Sequence, residues 1–180
     1  MTMSEIYRLS GKLEQVMLKD EHNGSEGYII RSLYFDTPFE SDYEAKIDGI
    51  ELRRKIRLRI YDPSADYAML EMKQKEGGYQ KKRSLKVGRK DGTEILYHKV
   101  EDAFAAECFG VMNMYCYRPK TIVEYKRKAF IAKENKIRIT LDSGIRATEA
   151  DMSLFNPSLN MYPVLDPYNG VLEVKYNGFL

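Results

Sequence analysis

The sequence predicts a β-rich α+β fold, and three observations lead there. From Tyr28 onward the chain divides into short segments dense in β-branched and aromatic residues, the side chains that suit a pleated, half-buried surface. Turn signals punctuate them, at Asp62-Pro63-Ser64, Gly77-Gly78, Asp166-Pro167 and Asn169-Gly170, where proline presets φ and glycine permits positive φ. Within most segments polar and apolar residues alternate with a period of two, as in a sheet with one face on a core.

Taken in order, the segment up to Gly27 is polar and mixed, with helical spacing at Leu9, Leu13, Val16 and Met17 before the turn-rich Asp20–Gly27. A short helix and then a loop are expected. Strands are expected at Tyr28–Asp36, Gly49–Tyr61, Tyr67–Lys75, Gln80–Val87, Thr121–Ile131, Lys136–Asp142 and Val171–Tyr176. Between the fourth and fifth, Gly92–Tyr115 carries helical spacing at Val100, Ala103, Phe104 and Phe109, which predicts a helix crossing one side of the sheet. At 180 residues a single domain over 1–180 is the expectation.

The rows of each strand say more than the strands themselves. One row of Gly49–Tyr61 is Arg53, Lys55, Arg57, Arg59 and Tyr61, and the other is Leu52, Arg54, Ile56, Leu58 and Ile60. The next strand sets Met69, Glu71, Lys73 and Lys75 against Ala68, Leu70 and Met72; later ones set Lys136, Arg138, Thr140 and Asp142 against Ile137, Ile139 and Leu141, and Glu173 and Lys175 against Leu172, Val174 and Tyr176. Thr121–Ile131 alternates less cleanly, with Val123, Tyr125 and Arg127 on one row and Glu124, Lys126 and Lys128 on the other.

A solvent face produces such alternation, yet it normally intersperses both signs of charge. Here the polar rows hold ten cations against Glu71, Asp142 and Glu173, a surplus of +7 within a chain whose net charge is +2, so the remainder carries −5. Two compensations are open: a polyanion held on the basic face, or a closed barrel whose interior gathers cations around one anionic ligand.

Other chemistries find little support. No Gly-x-x-x-x-Gly-Lys-Ser/Thr loop or Gly-x-Gly-x-x-Gly is present, which disfavours P-loop and dinucleotide sites. His22 and His98 read as surface residues, and the 14 tyrosines as strand and rim packing. Cys108 and Cys116 form neither a Cys-x-x-Cys pair nor a disulfide framework, and no apolar run approaches a membrane span. A reduced cytoplasmic protein with no membrane segment in this chain is the simplest expectation. Each acid in the basic rows suits either a salt bridge or a divalent cation, which needs oxygen ligands; the cations offer Arg forks and Lys point charges for phosphate.

Six ordered runs carry a family resemblance: Gly27-Tyr-Ile-Ile-Arg-Ser-Leu-Tyr-Phe-Asp-Thr37, Arg54-Lys-Ile-Arg-Leu-Arg-Ile-Tyr61, Leu70-Glu-Met-Lys-Gln-Lys75, Val123-Glu-Tyr-Lys-Arg-Lys-Ala-Phe130, Arg138-Ile-Thr-Leu-Asp142 and Leu172-Glu-Val-Lys-Tyr176. From Gly27 to Leu180 the chain resembles the VTC-type polyphosphate polymerase domain of the CYTH-like triphosphate tunnel metalloenzymes. The resemblance implies an antiparallel eight-stranded tunnel-like β-barrel with a few flanking helices. By it, Arg57, Arg59, Lys73, one or both of Lys81 and Lys82, Arg127, Arg138 and Lys175 would bind phosphates. Arg57, Arg59, Lys73, Arg127 and Glu173 would form the catalytic set, and Glu173, helped by Glu71, would hold Mn²⁺ or Mg²⁺. The implied reaction moves the ATP γ-phosphoryl group onto a polyphosphate chain.

The family normally opens with a strand carrying Glu-x-Lys-Tyr. Aligning Tyr7 with that tyrosine puts Ser4 and Ile6 at the Glu and Lys positions, so the first strand is expected to be degenerate or missing. The family also continues past Leu-Glu-Val-Lys-Tyr into a lysine-bearing helix. The domain is therefore expected to be shortened at both ends; a shortened gene, or a barrel completed by a partner chain or a second copy, would each account for that. A non-catalytic polyphosphate or polyanion binder and a triphosphatase are the alternatives; nucleic acid is not the expected partner.

Overall fold

The computed structural model describes residues 1–97, 101–132 and 137–176. In chain order the elements are α1 (Met3–Val16), β1 (Leu18–Lys19), β2 (Tyr28–Asp36), α2 (Ser41–Ile47), β3 (Arg53–Ile60), β4 (Tyr67–Glu76), β5 (Tyr79–Gly88), α3 (Arg89–Thr93), α4 (Ala103–Met114), β6 (Arg118–Ala132), β7 (Ile137–Thr148), β8 (Tyr162–Pro163) and β9 (Gly170–Lys175). The β-rich α+β reading holds: the nine strands belong to one sheet, of path β5-β4-β3-β2-β6-β7-β8, with β1 on β6 and β9 on β7. The path is not closed on itself among the described residues. Seven of the nine are the strands read from the sequence; β1 and β8, which bring the count past the family's eight, are two-residue strands, too short to leave a periodic signal.

The chain divides into two compact units. The first takes Met1–Ile30, Glu124–Ala147 and Met161–Leu180. Its α1 starts at a capping box: the Glu5 backbone N–H donates to Thr2 Oγ1 at 3.3 Å, and the Thr2 N–H donates to Glu5 Oε2 at 2.8 Å, satisfying groups a helix end leaves open. Ile6 and Leu13, seven residues and about two turns apart, share a buried cluster with Phe130 and Leu141. Val16, expected on that face, is exposed at the last turn. Gly170 lies against α1, and a Cβ there would meet Ile6 Cδ1 at 2.3 Å.

The second unit, Arg31–Val123 with Thr148–Asn160, is built on the antiparallel run β2-β3-β4-β5. One face of β3 and β4 is its core, with Ile56, Leu58, Ile60, Ala68, Leu70 and Met72 all buried. Helix α4, capped by Asp102 Oδ1 on the N–H groups of Phe104 and Ala105 at 2.8 and 3.0 Å, buries Ala105, Cys108 and Met112. This differs from the expected face of Ala103, Phe104 and Phe109; Val100 and His98 lie outside the described residues.

Three further expectations are corrected. β3 starts at Arg53 rather than Gly49, because α2 and a turn with Gly49 at φ 70° occupy the preceding residues. In β9 the row Leu172 and Val174, expected on a core, is 39% and 50% exposed, since β9 pairs with β7 alone among the described residues. β7 runs on to Thr148, six residues past its expected end at Asp142, and Lys136 lies outside the described residues. No described helix is long and apolar enough to cross a membrane.

Candidate anion-binding faces

The register of β3, β4 and β5 assembles the basic rows of the second unit onto one face. Arg57 sits opposite Glu71 and Arg59 opposite Met69; Lys55 is opposite Lys73, which is opposite Lys82. Alternation then places eight cations (Arg53, Lys55, Arg57, Arg59, Lys73, Lys75, Lys82 and Lys86) on that face of the three strands with one acid, Glu71. Lys81 is opposite Gln74, and Gln74 opposite Arg54, so Lys81 lies on the other face. Adjacent residues of a strand point to opposite sides, which separates two lysines that the sequence offered together.

Glu71 is the pivot of the face. Its Oε2 accepts from Arg57 Nε at 2.6 Å and meets Arg57 Nη2 at 2.6 Å; Arg59 Nε lies at 3.9 Å. Its Oε1 meets Lys82 Nζ at 2.5 Å and accepts from Ser84 Oγ at 3.4 Å. Burial alone would raise its carboxyl, but Arg57, Arg59 and Lys82 outweigh burial and hold it below the usual carboxylate range. The Arg57 guanidinium also donates from Nη1 to the Tyr34 hydroxyl at 3.0 Å. Lys55 Nζ stands 4.2 Å from the Tyr34 ring centroid. Burial would raise the phenol, yet Arg57 and Lys55 hold it below its ordinary value. Arg57 is thus fixed by two partners, Glu71 and Tyr34. Arg59 is held as well, donating from Nε to Ser32 Oγ at 3.3 Å.

Beside these residues, a cavity of about 980 Å³ is lined by Tyr34, Lys46, Arg53, Lys55, Lys73 and Lys120 among others. Its acidic lining comes from Asp36 at the end of β2, Glu40, Asp42 and Glu149. Asp36 accepts from the N–H groups of Thr37, Asp42 and Tyr43 at 2.7, 3.0 and 3.0 Å, which holds α2 in place from outside the helix. Asp42 in turn accepts from the Tyr117 hydroxyl at 2.5 Å, and burial together with nearby Asp36 raises its carboxyl to about 6 despite that hydrogen bond.

In the first unit, the row Arg138, Thr140 and Asp142 of β7 lies opposite Lys175, Glu173 and Val171 of β9. Arg127 of β6 reaches Asp142 through both ends of its fork, Nε to Oδ1 at 2.7 Å and Nη2 to Oδ2 at 2.6 Å. Burial works against its charge, but the Asp142 hydrogen bonds prevail and raise the guanidinium further. Glu173 Oε2 lies 3.2 Å from Lys175 Nζ, 3.9 Å from Arg127 Nη2 and 3.5 Å from the Thr140 hydroxyl. The expected Arg127, Arg138, Glu173 and Lys175 therefore share this unit, as Arg57, Arg59, Glu71, Lys73 and Lys82 share the other.

Sequence reading passed over two partners. Tyr34 is on the Ser32-Tyr34-Asp36 row of β2, opposite Arg57, and the alternation of that strand is the signal that could have found it. Glu124, buried on β6, pairs with Arg146 Nη2 at 2.5 Å; Arg146 lay beyond the strand end the sequence suggested.

For a divalent cation, no group of three His, Cys, Asp or Glu side chains exists among the described residues. Both oxygens of Glu71 are committed to cations and a hydroxyl. Glu173 is half-exposed, and Lys175, Arg127 and the Thr140 hydroxyl all approach its Oε2, so its Oε1 is the oxygen that fits the lone-carboxylate pattern in which ligand phosphates supply the rest.

A structure similar to this chain is that of a Bacillus halodurans protein carrying a provisional adenylate cyclase name. It shares 12% identity at a TM-score of 0.55 and covers 83% of this chain and 70% of its own. That likeness concerns the fold. No curated protein matches closely enough to count as a relative. The VTC domain profile matches residues 1–179. With that match spanning nearly the whole sequence, the chain belongs to the VTC domain family.

Proposed function

We propose that the domain is a VTC-type polyphosphate polymerase of the cytoplasm, transferring the γ-phosphoryl group of ATP onto a polyphosphate chain inside a tunnel-like barrel. The observation that carries the reading is Glu71 held among Arg57, Arg59 and Lys82 on a face of eight cations. A single acid cannot neutralise such a face, and a phosphate polyanion can. Arg57, Arg59, Lys73, Lys82, Arg127, Arg138 and Lys175 bind phosphate oxygens; Lys81, on the opposite face, is left out. Arg57, Arg59 and Lys73 in the second unit, and Arg127 in the first, each offset phosphate charge, which is most of what phosphoryl transfer asks of a protein. Glu173 holds Mn²⁺ or Mg²⁺ together with ligand phosphates, and that ion would neutralise charge on the transferred group. Glu71 serves as counter-ion rather than metal ligand.

One observation favours a second reading, a polyanion binder without turnover. The positions aligned with the family's Glu and Lys, Ser4 and Ile6, lie in helix α1, and Ile6 is core. The two readings separate with purified protein, ATP and Mn²⁺. Long-chain polyphosphate that disappears in a folded Glu173→Ala variant supports the polymerase; orthophosphate alone indicates a triphosphatase. Salt-sensitive tripolyphosphate binding without turnover, lost in an Arg57→Ala, Arg59→Ala double variant, indicates the binder. Single-stranded RNA outcompeting tripolyphosphate overturns both.

A further inference from the structure

The sheet of the second unit has another concavity, on the side turned away from its cations. A cavity of about 580 Å³ is floored by Leu33, Phe35 and Leu58. Leu33 stands opposite Leu58 in the register of β2 and β3, one residue along from the pair Tyr34 and Arg57. Alternation therefore puts the cavity and the basic row on opposite faces. The walls come from α3 and the residues after it, with Gly92 and Ile95, and from Leu154 and Phe155. Every lining residue belongs to the second unit.

Both walls are tied by their own hydrogen bonds. Arg31, only 4% exposed, donates from Nη1 to the carbonyls of Leu154 and Asn156 at 3.1 and 2.6 Å. The Asn156 N–H closes a turn on the Ser153 carbonyl at 2.9 Å. On the other side the Arg89 N–H donates to the Asp66 carbonyl at 2.7 Å, and the Thr93 hydroxyl to the Arg89 carbonyl at 2.8 Å. The cavity is thus built into the backbone, and its volume falls within the range of small-molecule sites, roughly 300–1,000 Å³.

The lining narrows the occupant. Among the described residues its single charge is the exposed Arg89, and no acid lies on it. The Arg89 guanidinium carbon stands 4.7 Å from the Phe155 ring centroid, a cation held against an aromatic face. An apolar chamber with one cation at its edge complements an apolar body that carries one negative charge. A phosphate polymer is a poor match, since its charges would lose water against Leu33, Leu58 and Ile95 with one guanidinium to offset them. Phe35, Tyr97 and Phe155 add aromatic surface, which suits a ring over an acyl chain. We infer that the cavity binds an aromatic organic monoanion, its ring on the floor of β2 and β3 and its carboxylate on Arg89. The site is separate from the phosphate face and uses none of its residues.

The test uses the whole chain, with naphthoate as the probe, naphthylmethanol as its uncharged counterpart and octanoate as an acyl monoanion. Calorimetry should find one naphthoate per chain, bound more tightly than octanoate. Arg89→Met should weaken naphthoate about tenfold, the worth of one hydrogen bond to a charged group, and leave naphthylmethanol unchanged. Nuclear Overhauser contacts from the naphthoate ring to the Leu33 and Leu58 methyl groups should appear in the wild-type chain, a readout that needs no variant to fold. No binding at millimolar naphthoate, no such contacts, or equal affinity in Arg89→Met and the wild type overturns the inference. Tighter binding of octanoate overturns the aromatic class. Loss of naphthoate in a folded Arg57→Ala, Arg59→Ala variant would move the probe to the basic face and overturn the site.

Discussion

Arg127 and Asp142 meet in parallel, fork to carboxylate, at 2.7 and 2.6 Å, with each side chain 12% exposed. Bidentate geometry of this kind fixes direction as well as proximity, so the pair sets where Arg127 can present its remaining N–H groups. Replacing Arg127 with alanine strands a nearly buried carboxylate, and such losses cost about 3–5 kcal/mol. Urea denaturation near pH 7 should find Arg127→Ala destabilised on that scale, while the double variant Arg127→Met, Asp142→Leu recovers most of the loss. Equal stability for the single variant and the wild type would contradict the account.

Glu71→Gln should move stability and binding in opposite directions. Its folded carboxyl titrates below 4.5, so it contributes stability above that pH and loses it as pH falls through the folded value. The variant should be less stable near neutrality and show a flatter acid limb below about pH 4.5. The same change frees Arg57, Arg59 and Lys82 from their counter-ion, so tripolyphosphate affinity should rise several-fold and become more salt-sensitive. Loss of affinity in the presence of Mn²⁺ would restore Glu71 to the metal.

Lys81 and Lys82 are neighbours with separate fates. Lys82→Ala should weaken polyanion binding and flatten its salt dependence, while Lys81→Ala leaves both unchanged, because β5 turns the two side chains to opposite faces. Titrations at three salt concentrations decide it; equal effects would mean the register is wrong.

Asp42 gives the opposite pH signature to Glu71. Its carboxyl is raised from 3.8 to about 6, so the stability it lends is complete below 3.8 and lost as pH rises through about 6. Asp42→Asn keeps an acceptor for the Tyr117 hydroxyl. It should therefore match the wild type near pH 4 and exceed it near pH 8, by roughly 1–3 kcal/mol. Thermal melts across that range would refute the prediction if the wild type were the more stable at both ends.

Gly27→Ala should cost more than the ordinary glycine penalty of ~1 kcal/mol, since a positive φ and a backbone clash combine there. Hydrogen exchange at the Ala129 amide, which donates to Asn23, should accelerate with it.

The strands of the second unit were legible because a sheet with one buried face writes its pattern directly into alternate residues; β3 and β4 differ from expectation only near their ends. What escaped were features that depend on distant partners. Helix α2 has Glu40 at its N-cap with φ 58° and no side-chain cap of its own, because Asp36 supplies the acceptors from the preceding strand. Nothing in the local spacing announces that. The apolar row of β9 looked like core, since sequence records hydrophobicity and not how many strands stand beside it. At the candidate site, the residue types were readable but not their partners. The choice between Lys81 and Lys82, the tie of Tyr34 to Arg57, and the saturation of Glu71 all follow from register, which a single strand does not encode.

The position of β5 gives its lysines a second consequence. It ends the sheet path and pairs only with β4 among the described residues, so a row of open backbone groups borders Lys81, Lys82 and Lys86. Charged edges repel other edges and keep sheets from stacking end to end. If a phosphate polymer neutralised Lys82 and Lys86, as the proposed function has it, part of that guard would be removed, and self-association would then rise as the basic face filled.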